Sequence, residues 1–333
     1  MKHLLFILFA IGLAGCQSNK VSGDHLVELS GEAQGTTFSI RYTDSAQRDF
    51  SKPLDSLFTA VNKSMSTWDT TSTISKINRD AVHVLDPMFE QVFRKSMEVS
   101  EATDGAFDVS VGPLVGAWGF GFKKGETTMP PRKVDSLRAL IGYKDLKLSG
   151  NQAVVKRKGM QIDFNAIAQG YTVDLVGQFL ESKGIEHYMV ELGGEVFTKG
   201  KKPDGTLWRI GIDKPTDQET EGRPLQAIVN LSNKALSTSG SYRKFYIRNG
   251  VKYSHTIDPK TGYPVKHNLL SVSVIANDCA TSDAYATAFM VMGVEKTLSF
   301  IKGKPLEVFM IFGDEKGGLQ VKMSEGFKKY LAE

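Results

Sequence analysis

The chain has 333 residues, of which 41% are hydrophobic and 23% are charged, and its formal net charge is +4 at pH 7. This is the composition of a globular protein, and a charge this small, without a dense Lys/Arg run, excludes nucleic acid as the expected partner. Only Cys16 and Cys279 are cysteines, so a disulfide framework is excluded, and we expect Cys279 to be a small buried apolar residue.

The N-terminus has the pattern of a secretory signal. A basic start precedes an apolar run over 4–13, which is shorter than the roughly 20 residues that a membrane-spanning helix needs. Leu13-Ala14-Gly15-Cys16 resembles the bacterial lipobox, in which the cysteine is acylated and becomes the first residue after cleavage. We therefore expect a signal peptide over 1–15, a lipidated tether over 16–25 and one domain over 26–333, held at a membrane and facing the periplasm. An ordinary secretory signal with an accidental cysteine is the alternative.

Local patterns predict the elements of the first half in chain order. Alternation predicts a strand over 37–42, and the spacing of Leu54, Leu57, Phe58 and Val61 predicts a helix. Asp86-Pro87 is typical of an N-cap followed by proline at the first helical position. The remaining elements predicted here are a helix over 132–140, strands over 154–156 and 161–164, and a helix from Ile167 that ends near Gly184.

The second half is richer in predicted strands, which lie over 188–191, 207–212, 226–231, 245–248, 251–254 and 270–275. Asn249-Gly250 is typical of a hairpin turn. Helices are predicted over 282–292 and 295–301, before a final hairpin around 316–318. Because strands and helices do not alternate regularly, the sequence predicts a single α+β domain with mixed or antiparallel sheets and packed helices.

Four segments contain more Gly, Asp and Thr than packing requires. Ala106-Phe107-Asp108 precedes a Gly-rich stretch over 112–121, where backbone can approach a ligand closely. Residues 163–171 join a strand end to a helix start, whose free N–H groups attract phosphate, although neither GxGxxG nor a Walker loop is present. Residues 254–264 carry His255 ahead of a Pro/Gly turn. In the fourth segment, Asp283 and Thr287 are four residues apart, so both project from one helix face as hard oxygen ligands suited to Mg²⁺.

Each segment taken alone also has a structural interpretation. The Gly-rich stretch is then an ordinary loop, Asp163 is a helix cap, and His255 is a satisfied structural residue. Asp283 and Thr287 are then a helix-start aspartate and a back-bonding threonine. The residues alone leave these alternatives open, and the sequence has no His/Cys cluster suited to a transition metal.

Taken together and in this order, the four segments resemble the ApbE family, the FAD:protein FMN transferases. Further matches to this family are Met65-Ser66-Thr67-Trp68, Glu191-Leu192-Gly193-Gly194-Glu195, Trp208-Arg209-Ile210-Gly211-Ile212 and Ser237-Thr238-Ser239-Gly240. The resemblance covers nearly all of the chain after Leu26, and many members of the family are lipoproteins. It implies an Mg²⁺-dependent enzyme that attaches FMN from FAD to a threonine of an exported acceptor protein through a phosphoester bond and releases AMP.

The resemblance also implies roles for individual residues. His255 matches the histidine thought to assist transfer, and Asp283 and Thr287 match magnesium ligands, with Ala166 as a further ligand through its carbonyl. The positions that match FAD contacts are Gln34, Trp68, Ala106, Phe107, Asp108, Asp163, Gln169 and Ile257. The chain departs from the family at Gln169, where many members carry Lys or Glu, and at Ala286, where some carry a second Asp. Asp283 is therefore the only carboxylate assigned to the metal.

Two other functions stay open on the sequence. A metal-dependent FAD hydrolase would use water as the acceptor, and would differ in how well its pocket excludes water. An FAD-binding or flavin-storage lipoprotein would not be an enzyme, and the joint presence of Asp283, Thr287 and His255 argues against it. Family acceptors carry the motif Asp-x-x-Ser/Thr-Gly/Ala-Ala/Ser-Thr, of which the chain has no complete copy, so we expect it to modify another protein.

Overall fold

A computed structural model describes residues 25–80, 84–119, 129–149, 153–216, 224–241, 245–248, 251–254, 256–314 and 318–332. Across these ranges the strands are β1 (His25–Ala33), β2 (Thr36–Asp44), β3 (Lys147–Ser149), β4 (Ala153–Val155), β5 (Tyr188–Leu192), β6 (Glu195–Lys199), β7 (Trp208–Asp213), β8 (Leu225–Leu231), β9 (Lys234–Gly240), β10 (Phe245–Arg248), β11 (Val251–Ser254), β12 (Leu269–Ala276), β13 (Glu307–Gly313) and β14 (Leu319–Met323). The helices are α1 (Ser51–Met65), α2 (Thr73–Asn78), α3 (Pro87–Ala102), α4 (Gly112–Ala117), α5 (Pro131–Arg138), α6 (Ala168–Ser182), α7 (Cys279–Met292) and α8 (Val294–Phe300).

Eight of the strands form one sheet in the order β1-β2-β5-β6-β9-β12-β13-β14. Every neighbouring pair in this sheet is antiparallel. Three two-stranded ribbons, β3–β4, β7–β8 and β10–β11, stand beside it. The fold is therefore α+β with antiparallel sheets and packed helices, as the sequence predicts.

Both faces of the sheet are buried, and the central strands show how the sequence achieves this. In β12 and β13, Val274 and Met310 point into the core beneath the helices, whereas Ile275 and Phe309 point into a second core on the opposite face. The second core is closed by the β7–β8 ribbon with Trp208 and by a 3₁₀ helix over Glu325–Tyr330. Successive side chains of a strand alternate between faces, so a strand that is apolar throughout fits between two layers.

The helical face is built around α6 and α7. α7 contacts β9 and β12, α6 contacts β5 and β6, and α1 and α3 pack outside them. Most residues of α7 are small or apolar and buried, as expected of a helix surrounded by protein. Cys279 is fully buried at its start, which confirms that residue's predicted place in the core. Among the described residues, no helix combines the length and apolarity that crossing a membrane requires.

Most predicted elements of the first half are confirmed, and one is wrong. Asp86 accepts a hydrogen bond from the amide of Phe89 at 2.9 Å and Pro87 opens α3, as the cap pattern predicts. The strand predicted over 161–164 does not form, because only Gln161 makes an isolated parallel bridge, to Val111. Its alternating apolar residues are instead buried in an irregular segment that leads into α6.

Candidate active site

The first two turns of α6 lie against the first two turns of α7. The amide of Gly170, in the first turn of α6, donates to a carboxylate oxygen of Asp283 at 3.1 Å. A Cβ atom at residue 170 would lie 2.8 Å from the Cβ of Asp283 and closer still to the carbonyl oxygen of Cys279. Only glycine permits this approach of the two helices, so the contact brings the 163–171 segment against Asp283.

Asp283 is buried in the second turn of α7, with a relative exposure of 6%. Burial raises the pKa of Asp283 to about 7, against the lowering effect of the hydrogen bond from Gly170. The N-cap of α7 is Asp278, whose side chain accepts from the amide of Thr281 at 2.8 Å. The alternative that Asp283 is a helix-start cap is therefore wrong.

Thr287 lies one turn further along α7, as its spacing from Asp283 predicts. Its hydroxyl is 3.2 Å from the hydroxyl of Ser239 on β9, across the junction between helix and sheet. This hydroxyl is bonded toward the sheet, so the structure gives it a partner outside its own helix. Ser239 belongs to a segment that the sequence analysis matched to the ApbE family without a role.

Ala166 lies in the turn that precedes α6. Gly170 is in the first turn of α6, where backbone amides have no acceptor within the helix, and its amide donates to Asp283. Asp283 and Thr287 thus supply one carboxylate and one hydroxyl from the same face of α7, and Ala166 supplies a carbonyl oxygen in the turn before α6. Such oxygen donors fit a hard divalent cation, which would also compensate the buried charge of Asp283. No group of three or more His, Cys, Asp or Glu residues that could hold a metal occurs in the part of the chain that the structure describes.

Asp108 and Asp163 lie on two segments that run side by side. The amide of Asp163 donates to the carbonyl of Val109 at 2.7 Å, close to the parallel bridge between Val111 and Gln161. Asp108 accepts from the amide and hydroxyl of Ser110, at 2.8 and 2.6 Å. Burial raises the pKa of both aspartates above the usual range. Two of the predicted FAD-contact positions are thus brought together.

The helix-cap interpretation of Asp163 is wrong. The N-cap of α6 is Ile167, which has no side-chain capping bond. The carboxylate of Asp163 accepts instead from the amide of Asn165 at 2.8 Å, outside the helix. Asp163 therefore shapes the turn that carries Ala166 into the start of α6.

Three predicted FAD-contact residues are largely buried. Phe107 is 2% exposed and belongs to the main core, and Ala106 beside it is 8% exposed. Ile257 is 5% exposed and packs with Leu114 and Trp118. Packing in the core therefore explains the side chain of Phe107. Any contact of Ala106 and Phe107 with a ligand would be made by their backbone.

Gln34 and Gln169 both lie beside the first turns of α6. Gln34 has a positive φ of 52° in the turn between β1 and β2, and its side-chain amide donates to the hydroxyl of Thr172 at 2.8 Å. A Cβ atom at Gly193 would lie 3.2 Å from the Gln169 side-chain nitrogen and 3.2 Å from a carboxylate oxygen of Glu195. The β1–β2 turn, the β5–β6 turn and the start of α6 therefore form one crowded corner.

Trp68 follows α1 in a loop and is 68% exposed. Such exposure is unusual for an indole, which combines an apolar ring with an N–H group. His255 and Cys16 lie outside the described residues, so their predicted roles stay predictions.

Two further carboxylates near the site, those of Asp174 and Glu195, have no role predicted from the sequence. Asp174 accepts from the amides of Cys279 and Ala280 at 2.7 and 2.8 Å, at the start of α7. A signal for it existed, because Asp174 lies four residues after Gly170 and thus on the same face of α6. Glu195 is 7% exposed, and no pattern in the sequence predicts a buried glutamate at the start of β6.

Comparison with known proteins agrees with this architecture. The sequence profile of the ApbE family matches residues 34–312. The FAD:protein FMN transferase of Vibrio cholerae serotype O1 is 37% identical, over 96% of this chain and 93% of its own length. That of Escherichia coli K12 is 32% identical, over 97% of this chain and 95% of its own.

Solved structures agree as well. The flavin transferase ApbE from Vibrio cholerae superposes with a TM-score of 0.81 at 35% identity, covering 92% of this chain and all of its own. The ApbE protein of Thermotoga maritima gives 0.82 at 28% identity, covering 93% of this chain. An antiparallel sheet carrying two helices, with a buried carboxylate at their contact, is thus an α+β fold of the flavin-transferase class. The chain belongs to the ApbE family, which confirms the resemblance seen in its sequence.

Proposed function

We propose that the chain is an FAD:protein FMN transferase, with Mg²⁺ held at the α6–α7 contact and a threonine of an exported protein as the acceptor. The observation that carries the proposal is the buried carboxylate of Asp283, which shares a helix face with the hydroxyl of Thr287. Membership of the ApbE family and the names of the relatives support the reaction type.

Asp283, Thr287 and the carbonyl of Ala166 are the proposed ligands of the cation. Bound Mg²⁺ would neutralise the pyrophosphate of FAD and stabilise the departing AMP phosphate. Asp283 supplies the only carboxylate of this set, so it carries the electrostatic part of cation binding. The bond from Gly170 fixes the orientation of that carboxylate.

The start of α6 has less capacity for phosphate than its sequence predicts. The amide of Ala168 already donates to the carbonyl of Phe164 at 2.8 Å, and that of Gly170 donates to Asp283. Of these three consecutive backbone amides, that of Gln169 is therefore the one proposed to bind phosphate. The side chain of Gln169 faces the corner formed with Gly193. The loop predicted over 112–121 is wrong in part, because Gly112–Ala117 form α4. At the start of that helix, Gly112 lies beside Asp163 and offers further backbone to FAD.

In the proposed reaction the acceptor hydroxyl attacks the phosphorus on the FMN side of FAD. A new oxygen–phosphorus bond forms as the pyrophosphate bond breaks, and AMP leaves with the bridging oxygen. The hydroxyl proton passes to His255, which acts as the general base. Positioning and electrostatics carry most of the rate in phosphoryl transfer, so the rigid α6–α7 contact suits the task.

The proposal places the enzyme at a membrane through acylation of Cys16, facing the periplasm. Its support is the Leu13-Ala14-Gly15-Cys16 motif after a short apolar run. An exported acceptor with the threonine motif would then meet the enzyme in the same compartment.

The test mixes the detergent-solubilised full chain with FAD, MgCl₂ and an acceptor protein that bears the threonine motif. We expect flavin fluorescence on the acceptor that survives denaturing electrophoresis, together with one AMP released for each flavin attached. Replacing the motif threonine of the acceptor by alanine, or adding a chelator, should abolish the signal.

Two outcomes would replace the proposal. Release of AMP and free FMN at the same rate with and without the acceptor would make the chain an FAD hydrolase. Tight FAD binding without AMP release under any condition would make it a flavin-storage protein.

A further inference from the structure

The first turn of α7 is held by two carboxylates from different parts of the chain. Asp278, the residue before the helix, accepts from the amide of Thr281. Asp174, from the middle of α6, accepts from the amides of Cys279 and Ala280 with its two oxygens, at 2.7 and 2.8 Å. The first three amides of α7 therefore all donate to carboxylates, which the positive end of a helix favours.

The two carboxylates differ in what they connect. Asp278 caps its own helix, so its bond leaves the position of α7 on α6 unspecified. Asp174 belongs to α6, so its two bonds join the helices. Asp278 therefore caps α7, whereas Asp174 attaches α7 to α6.

Asp174 is one of two crossed links between α6 and α7. On α6, Gly170 and Asp174 are four residues apart, and on α7, Cys279 and Asp283 are also four residues apart. Gly170 donates to Asp283, and Cys279 donates to Asp174. Each link pairs a backbone amide of one helix with a carboxylate of the other, one helical turn from the next link.

We propose that Asp174 is a positioning residue for the metal site: its attachment to the start of α7 fixes where Asp283 and Thr287 stand relative to the Ala166 carbonyl. This inference rests on the proposed function, because it takes those three residues as the cation ligands. Asp174 itself touches neither the cation nor FAD in this scheme.

Asp174 can position the ligands because it holds α7 close to them. Asp283 is one turn from the amides that Asp174 holds, so a shift of the helix start moves the ligands by nearly the same amount. Mg²⁺ demands near-ideal ligand geometry, so a small shift weakens its binding. Loss of an outer hydrogen-bonding group typically costs about 10–100-fold in metal affinity.

Asp174 borders a cavity of about 350 Å³ between α3, α6 and the start of α7. The cavity has room for a substituted side chain at residue 174. Water in the cavity could then accept from the amides of Cys279 and Ala280. Substitution is therefore expected to shift α7 without a steric clash.

The test compares Asp174→Asn with Asp278→Ala in the detergent-solubilised full chain. An asparagine can accept one of the two amide bonds, and its own N–H₂ opposes the other. Mg²⁺ is titrated calorimetrically without FAD, the melting temperature is recorded, and FMN transfer is measured against Mg²⁺ concentration. For Asp174→Asn we expect the Mg²⁺ dissociation constant to rise about 10–100-fold. Saturating Mg²⁺ should restore most of the transfer rate.

Asp278→Ala is the matched control, since it removes the other carboxylate from the same helix end. Loss of an N-cap costs about 0.5–2 kcal/mol of stability. We expect a lower melting temperature with a parent-like Mg²⁺ dissociation constant. If Asp174→Asn fails to accumulate, Asp174→Glu keeps the charge but displaces it by one methylene, and it should weaken Mg²⁺ binding in the same direction.

Two results would overturn the inference. One is a Mg²⁺ dissociation constant for the Asp174 variants equal to that of the parent, and the other is an equal weakening by Asp278→Ala. A parent chain that binds no Mg²⁺ removes the metal site and this inference together. A parent that binds Mg²⁺ but transfers no FMN contradicts the proposed reaction alone, and the comparison of Mg²⁺ affinities still decides the role of Asp174.

Discussion

The backbone amide of Gly170 donates to the carboxylate of Asp283 at 3.1 Å, across 113 residues of sequence. The bond is possible because residue 170 has no Cβ, and it satisfies an amide of the first helical turn that has no acceptor within α6. One backbone group thus orients the proposed metal carboxylate. The proposed metal site therefore depends on how two helices meet as much as on its ligands.

Asp283→Asn should separate catalysis from stability. An asparagine oxygen can still accept the bond from Gly170, while the buried charge disappears. Because burial raises the pKa of Asp283 to about 7, that charge is unfavourable in the metal-free fold. We therefore expect a free energy of unfolding within about 1 kcal/mol of the parent, or above it, when measured in chelator. Transfer of FMN should collapse and no longer respond to Mg²⁺.

Asp278→Asn is the control for this prediction, because asparagine is as good an N-cap as aspartate. It should keep both stability and transfer. Near-normal turnover of Asp283→Asn with an unchanged response to Mg²⁺ would move the metal site elsewhere.

Gly170→Ala tests the closeness of the two helices. The new Cβ would lie 2.8 Å from the Cβ of Asp283 and nearer to the carbonyl of Cys279, so backbone must shift. We expect a loss of about 1–3 kcal/mol of stability, typical of overpacking, together with weaker Mg²⁺ binding. Both effects are read from urea unfolding and calorimetric titration.

Gly177→Ala is its matched control on the same helix. A Cβ there would lie 2.8 Å from the Tyr188 hydroxyl, which is buried and bonded to Glu181, so a side chain must shift, whereas at residue 170 the obstacle is backbone. In a helix interior the gain in helix propensity is about 1 kcal/mol and offsets part of this cost. Gly177→Ala should therefore lose less stability than Gly170→Ala and bind Mg²⁺ normally. Equal behaviour of the two alanine variants would contradict the close-packing argument.

The sequence predicts what depends on local spacing. The shared face of Asp283 and Thr287 follows from the period of a helix, and the start of α3 follows from Asp86-Pro87. The partner of Asp283 could not be predicted, because a contact between residues 170 and 283 depends on how α6 and α7 pack. The strand predicted over 161–164 failed for a related reason. Apolar alternation reports which side chains are buried, and here an irregular segment buries them.

Stability should depend on pH through Asp174. Burial raises the pKa of Asp174 to about 7, and Asp278 adds to this, while the two backbone bonds and Lys95 oppose it. Glu181 and Tyr171 line the same cavity. In an unfolded chain the pKa of aspartate is about 3.9. Between about pH 4 and pH 7 the folded state therefore holds a proton that the unfolded state releases, and stability falls as pH rises through this window.

The measurement is urea unfolding of the parent and of Asp174→Asn in chelator, from pH 4.5 to pH 7.5. Subtracting the two curves removes the contribution of other groups. The stability advantage of the parent over the variant should shrink as pH rises. A difference that stays constant over the range would mean that Asp174 keeps an ordinary pKa.

Cys16→Ala tests the proposed location. The thiol is the proposed acylation site, so its removal should give uncleaved or soluble exported protein. Membrane fractionation and the size of the processed chain report the outcome. Unchanged processing and membrane attachment would favour the ordinary secretory signal.

His255→Ala separates binding from chemistry. A threonine hydroxyl is a poor nucleophile at neutral pH, and histidine, with an unperturbed pKa of about 6.5, suits the role of base. General-base assistance typically contributes about 10²–10⁴-fold. We expect the variant to bind FAD and Mg²⁺ as the parent does and to transfer FMN at least about 100-fold more slowly.

The competing interpretation is that His255 only steadies its turn. It predicts a modest loss of rate together with a lower melting temperature or weaker FAD binding. The neighbouring turn is already held by the bond from the Trp118 indole to the carbonyl of Gly262 at 2.9 Å and by the packing of Ile257 against Leu114. These contacts do not involve residue 255, so we expect the turn to survive the substitution. FAD affinity, melting temperature and single-turnover transfer, measured on one preparation, decide the matter. Parent-like binding and stability with a transfer rate within a few-fold of the parent would remove His255 from the mechanism.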